Sequence, residues 1–87
     1  MDVPRALVLW TTPGCSLCGE AVEALVRVQG RVPFTLEVRD LLSAPAPFRL
    51  RHRYDVPVLM EGDQLLFRHR VDERALEGRL RGTPVAD

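Results

Sequence analysis

The only two cysteines of this chain, Cys15 and Cys18, are separated by two residues and stand where an apolar strand gives way to a helix. Leu7-Val8-Leu9-Trp10 ahead of them has the make-up of a short buried strand. Cys18, Ala21, Val22, Leu25 and Val28 behind them fall on one face at helical spacing. Thr11-Thr12-Pro13-Gly14 forms the join. Cys15 is thereby expected on the first turn of the helix, with Cys18 one turn further in on the same side. A helix N-terminus carries unpaired N–H groups and a partial positive charge, which favour a thiolate over a thiol. The thiolate is the form that attacks disulfides. A second thiol one turn away can then close a disulfide and expel whatever the first has bonded to. The pattern points to thiol–disulfide oxidoreductase chemistry, with Cys15 as nucleophile and Cys18 as resolving thiol.

The rest of the composition narrows the class. Eighty-seven residues suit one domain, spanning 1–87, with a single core. The 12 acidic and 12 basic residues cancel, so no basic surplus points to nucleic acid and no acidic block suggests a tail. Every basic residue other than histidine is arginine, and lysine, isoleucine and asparagine are absent, a bias expected of a GC-rich bacterial genome. Met1-Asp2-Val3-Pro4-Arg5 shows no basic region leading into a long apolar run, so no signal peptide is expected. The longest apolar stretch, Ala6 to Trp10, is too short to cross a bilayer. The expected location is the cytoplasm, where a permanent structural disulfide would be unusual. A C-x-x-C beside a β-α pattern there is redox-active or metal-binding rather than a staple.

Along the chain, Arg5–Trp10 reads as strand one, apolar on both faces and therefore central and parallel. Helix one is expected from Cys15 to Gln29, ending at Gly30 as a left-handed cap, with Glu23 and Arg27 paired on its wet side. In Pro33–Arg39, Phe34, Leu36 and Val38 alternate with Thr35, Glu37 and Arg39, which marks a half-buried strand nearer an edge. These three elements make a β-α-β unit with a right-handed crossover. Asp40–Pro47 is a loop or a helix start, and Phe48–Tyr54 a short second helix. Pro57–Met60 and Gln64–Arg68 form a hairpin about Glu61-Gly62-Asp63. The last helix starts with Asp72 as N-cap and Val71 stapled to Leu76. It carries Leu76 and Leu80 inward, pairs Glu77 with Arg81, and ends at Gly82-Thr83-Pro84. The order β-α-β-α-β-β-α predicts an α/β fold: a four-stranded mixed sheet with helices on both faces, the thioredoxin architecture.

Thr11-Thr12-Pro13-Gly14-Cys15-x-x-Cys18, with Val56-Pro57-Val58-Leu59 about forty residues later, resembles the glutaredoxin branch of the thioredoxin superfamily. Cys15-Ser16-Leu17-Cys18-Gly19-Glu20-Ala21 and Tyr54-Asp55-Val56-Pro57-Val58-Leu59 are closer still to a small glutaredoxin-like family, mostly without assigned function. The resemblance covers nearly the whole chain. It implies that Pro57 follows a cis peptide bond beside the cysteines, and that the backbone of Val56 pairs with a bound thiol substrate. It also implies that the start of the last helix, with Arg70 and Asp72, receives a carboxylate of glutathione. Read without the resemblance, Pro57 simply opens a strand. The chain departs from the glutaredoxin pattern in three places. Thr12 stands where Lys or Arg is usual, and Leu17 where an aromatic residue is usual. Arg68-His69-Arg70-Val71-Asp72 lacks the Gly-Gly pair that lets glutathione approach the backbone. These departures bear on glutathione and leave disulfide exchange itself untouched.

Pro13 and Gly14 shape the turn, and Thr11 and Thr12 either hydrogen-bond near the thiolate or are solvated loop residues; Thr12, Pro13, Val56 and Pro57 make up the expected substrate-binding set. Trp10 is core or the rim of the site, Met60 and Phe67 are core, and His52 and His69 are lone surface histidines. Arg49, Arg51, Arg53, Arg68 and Arg70 form two small basic groups, mostly solvated. No resident cofactor is expected beyond the reversible Cys15–Cys18 disulfide. The expected partners are protein or low-molecular-weight disulfides, with glutathione or a thioredoxin-reductase-type donor supplying electrons. Neither nucleic acid nor membrane is expected as a partner, and the chain is expected to be a monomer. Two alternatives stay open. One is a metal or iron–sulfur module; because one C-x-x-C offers two soft ligands where a closed site needs four, it requires a dimer or external thiols. The other is a binding module that keeps the fold without redox turnover.

Overall fold

In the computed structural model, which describes residues 5–82, eight short elements follow one another. They are β1 (Ala6–Thr11), α1 (Ser16–Gln29), β2 (Thr35–Asp40), a 3₁₀ turn (Leu41–Ser43), α2 (Ala46–His52), β3 (Val58–Glu61), β4 (Gln64–Arg68) and α3 (Glu73–Leu80). The strands form one mixed sheet in the order β2-β1-β3-β4, with β1 parallel to β2 and antiparallel to β3, and β3 antiparallel to β4. Four strands and three α-helices in the order β-α-β-α-β-β-α are the expected α/β architecture. β1 is central, although parallel on one side only.

Alternation along β1 sends its two faces to different partners. Leu7 and Leu9 join Ala21, Leu25 and Val28 of α1, Phe34, Leu59 of β3 and Leu76 of α3 in the main core, with Val71 and Leu80 packed on its margin. Burying each of the large aliphatic side chains contributes about 1.5–3 kcal/mol. Val8 and Trp10 face the other way, where Phe48 of α2 packs against Trp10 with ring centroids 5.1 Å apart. The hairpin turns on Gly62, whose φ of +58° suits the first position of a two-residue loop. A register shift between Leu59 and Met60 then leaves Leu66 as the extra residue of a bulge.

Several local expectations change. Gly30 is right-handed (φ −68°), because α1 closes through bonds from Arg31 and Val32 N–H to the Val28 carbonyl rather than through a left-handed cap. Arg27 leaves Glu23 for Glu73 of α3, at 2.9 Å, where it joins Arg31, Glu77 and Arg81 in a chain of ion pairs tying α1 to α3; the Glu77–Arg81 pair is present as expected. The second helix starts two residues earlier than Phe48 and stops at His52. Asp72 caps α3, accepting from Ala75 N–H at 3.1 Å. Met60 and Phe67 are half-buried, Phe67 against the main core and Met60 toward α2. The expectations for Met1–Pro4 and for Thr83-Pro84 lie outside the described residues.

The far end of the sheet is locked by Arg5. Its Nε and Nη2 donate to the two oxygens of Glu61 at 2.7 and 2.6 Å, its Nη1 donates to the Arg79 carbonyl, and Arg79 Nε also donates to Glu61. The Arg5 hydrogen bonds hold the Glu61 carboxyl below its ordinary value of 4.5. A carboxyl lowered in the fold stabilises it above its unfolded value and loses that contribution as pH falls through the folded value. Glu61→Gln is therefore expected to cost about 1–2 kcal/mol at pH 7, and to flatten the decline of stability below pH 4.5. Urea melts at pH 7 and pH 3 measure both; an unchanged acid limb would show that the pair contributes nothing.

Candidate active site

At the end of β1 the chain turns through Thr12, Pro13 and Gly14, the last with φ +75°, a left-handed conformation that glycine adopts without strain. The turn delivers Cys15 as the N-cap of α1, one position earlier than the first helical turn expected. The Cys18 N–H donates to Cys15 Sγ at 3.2 Å, so the sulfur takes the place of the capping oxygen and satisfies one of the helix's unpaired donors. Cys15 is partly exposed and Cys18 buried, and neither is in a disulfide. Burial pushes the Cys18 thiol up to about 11, helped by its hydrogen bond with Cys15 and opposed by a backbone hydrogen bond from Thr12. Thr12 thus acts on the pair through its backbone, a contact that residue type alone does not reveal.

Sheet register brings the second segment alongside. Trp10 lies opposite Val58, so Pro57 and Val56 run on past Thr11 and Thr12 at the end where the cysteine turn begins. The Val56–Pro57 peptide bond is cis, as the resemblance implied. Pro57 is buried; its carbonyl accepts the His69 N–H at 2.8 Å, while among the described residues no hydrogen bond takes up the backbone of Val56. Trp10 is half-buried and its ring lies on Phe48 of α2.

β4 ends opposite Val58 as well, which carries Arg68-His69-Arg70-Val71-Asp72 to the same end of the sheet. His69 adopts φ +67°, so a left-handed residue persists where the glutaredoxin glycine pair would stand; histidine is among the few side chains that enter this region with any frequency. Its Nε2 lies 3.1 Å from the Tyr54 carbonyl. Arg70 reaches Glu20 of α1 at 3.5 Å across a cleft of about 290 Å³. Leu17 and Glu73 line the same cleft. Asp72 is engaged as the α3 cap. The eight expected site residues fall at one sheet end: Thr12, Pro13, Cys15 and Cys18 on the cysteine turn, Val56 and Pro57 running past its start by strand register, and Arg70 and Asp72 at the start of α3.

His52 departs most from expectation. It is 8% exposed, its Nδ1 lies 3.1 Å from Asp55 Oδ2, and its ring packs on Phe48 at 4.6 Å. Helical spacing of Phe48 and His52, with Asp55 three residues on, was the signal available in the sequence. Among the described residues, no three His, Cys, Asp or Glu side chains converge as metal ligands, so a closed site at Cys15 and Cys18 would draw its other donors from outside the described residues. Among the same residues, no helix is long and apolar enough to cross a membrane.

A family model described as Glutaredoxin-like domain (DUF836) matches residues 6–81. The chain is similar to the solution NMR structure of protein Ne2328 from Nitrosomonas europaea, at 30% identity and a TM-score of 0.76, over 92% of this chain and 95% of that one. A solved structure described as that of a malarial protein shares the fold at 17% identity and a TM-score of 0.65, over 95% of this chain and all of the other.

Proposed function

The chain belongs to the glutaredoxin-like domain family, and we propose that it is a thiol–disulfide exchange protein in which Cys15 is the nucleophile and Cys18 the resolving thiol. The observation that carries this reading is Cys15 Sγ at the N-cap of α1, accepting the Cys18 N–H, on a partly exposed side chain. The Cys15 thiolate attacks one sulfur of a substrate disulfide, forms a mixed disulfide and expels the other half as a thiolate. Cys18, as a thiolate, then attacks Cys15 Sγ, closes the Cys15–Cys18 disulfide and expels the second half. Two electrons pass from the protein to the substrate, and the two thiol protons end on the products.

Val56 supports the substrate side of this reading, because its backbone takes no hydrogen bond among the described residues and can pair with the chain that carries the substrate cysteine. Pro57 and the turn residues Thr12 and Pro13 shape the walls of that approach. Glu20 and Arg70, paired across the cleft beside Leu17, suit substrates with polar flanks such as protein disulfides; Arg70 and the α3 start are the place for a carboxylate of glutathione. Electrons would return from glutathione or from a reductase of the thioredoxin-reductase type, in a reducing compartment such as the cytoplasm.

A redox titration in thiol–disulfide buffers, read by mass after alkylation of free thiols, tests the proposal. The expected result is a reversible two-electron transition between about −270 and −180 mV, the span from thioredoxin to disulfide isomerase. Thiols that stay unpaired across the range would overturn it in favour of a binding or metal-holding role.

A further inference from the structure

The sheet face turned away from α1 and α3 carries a second concavity. It is an open groove of about 720 Å³, within the range of about 300–1,000 Å³ typical of small-molecule sites. Val8, Trp10, Met60 and Leu65 make its floor, and Phe48 and His52 of α2 make one wall. Three charged side chains, Arg39, Arg51 and Asp63, stand on its rim.

Two polar groups on residues that line this groove have no partner among the described residues. Arg39 is committed to Glu37 at 2.6 and 2.8 Å and lies over the Trp10 ring. Arg51 has no hydrogen bond or ion pair among the described residues. His52 is the more telling. It is 8% exposed and its Nδ1 is taken by Asp55, yet Nε2 has no partner among the described residues. No side-chain nitrogen or oxygen that is fully enclosed there lacks a partner, so Nε2 keeps access to solvent on a residue that lines the groove. Since a carboxylate only accepts, Asp55 fixes the proton of a neutral ring on Nδ1 and leaves Nε2 as an acceptor.

We propose that this groove is a binding site for a small aromatic acid that carries a hydroxyl or N–H donor as well as its carboxylate. Each part of the ligand answers one part of the groove. The ring lies against Trp10 and Phe48, the carboxylate meets the unpaired Arg51 guanidinium on the rim, and the hydroxyl or N–H donates to His52 Nε2. The site is separate from the cysteine turn, since Cys15 and Cys18 take no part in it.

The test uses 4-hydroxyphenylacetate against the ¹⁵N-labelled protein, followed by NMR shifts with Trp10, the only tryptophan, as the internal marker. Saturable shifts at Trp10, Phe48 and His52 are expected. Removing the charge (4-hydroxyphenylacetamide) or the donor (phenylacetate) should each weaken binding about tenfold, the usual scale for one such hydrogen bond. Arg51→Gln, on an exposed helix position, should weaken the acid about tenfold and leave the amide unchanged. The Cys15→Ser and Cys18→Ser variants should bind as the unaltered protein does. No saturable binding, equal binding of acid and amide, equal binding of inorganic phosphate, or shifts confined to the Leu17–Arg70 cleft would each overturn the proposal.

Discussion

Replacing Cys15 by serine is expected to reduce disulfide exchange to the uncatalysed background, whereas Cys18→Ser keeps the first attack and accumulates mixed disulfides. The asymmetry follows from where the two sulfurs sit. Cys15 is partly exposed and receives an N–H at the helix start, while Cys18 is buried one turn in. With its thiol raised to about 11, mainly by burial, only about one Cys18 in ten thousand is a thiolate at pH 7. Converting Cys15 to a mixed disulfide removes its hydrogen-bonding thiol but not the burial, so the larger cause persists. In the proposed exchange, resolution by Cys18 is therefore expected to limit turnover. Its rate should climb about tenfold per unit between pH 7 and 10. At neutral pH a brief pulse of alkylating agent should label Cys15 once and spare Cys18. Mass spectrometry of quenched reactions reads each of these. Full activity in Cys15→Ser, or labelling of Cys18 as fast as Cys15, would sink the assignment.

The fold was legible because each local signal agreed with the next. Strict alternation in Phe34–Val38 marked β2, the glycine–aspartate pair marked the hairpin, and Asp72 marked the start of α3. Cys15 and Cys18 were legible for the same reason: a strand and a helix of opposite period meet at the turn that holds them. What escaped was whatever depended on a partner from another element. Glu23 and Arg27 stand four residues apart on α1, yet Arg27 turns to Glu73, because α3 packs beside it and offers a carboxylate shared with Arg31. His52 looked like a surface residue because its helix is short and rich in arginine; only Trp10 on β1 explains why Phe48 and His52 turn inward. The left-handed His69 was hidden for a different reason. Where glycine is missing, sequence suggests the conformation is missing too, but bonds from His69 N–H to the Pro57 carbonyl and near Tyr54 accompany it.

Leu59→Ala should be the most damaging of the core substitutions. Leu59 is fully buried, lies on β3 between Leu9 of β1 and Phe67 of β4, and shares one core with Leu25, Val28 and Leu76 from the helices above. Four elements meet around it, so little relaxation can fill the space left, and the loss should be about 2–5 kcal/mol. At about 4–8 °C per kcal/mol for a domain this small, the melting temperature falls by about 8–40 °C. Val38→Ala is the matched control: it points to the same side of the sheet opposite Leu9, but on the edge strand and 49% exposed. Its cost should stay within about 0.5–1 kcal/mol. Comparable melting of the two variants would show that the sheet order or its buried face is wrong. The pair also separates stability from chemistry. The core cluster that holds Leu59 includes neither cysteine, so the folded fraction of Leu59→Ala should keep the single reactive thiol at Cys15. Cys15→Ser exchanges one partly exposed atom and should melt with the unaltered protein. A variant that lost both together would tie the cysteine turn to the core more tightly than the register of β1 and β3 requires.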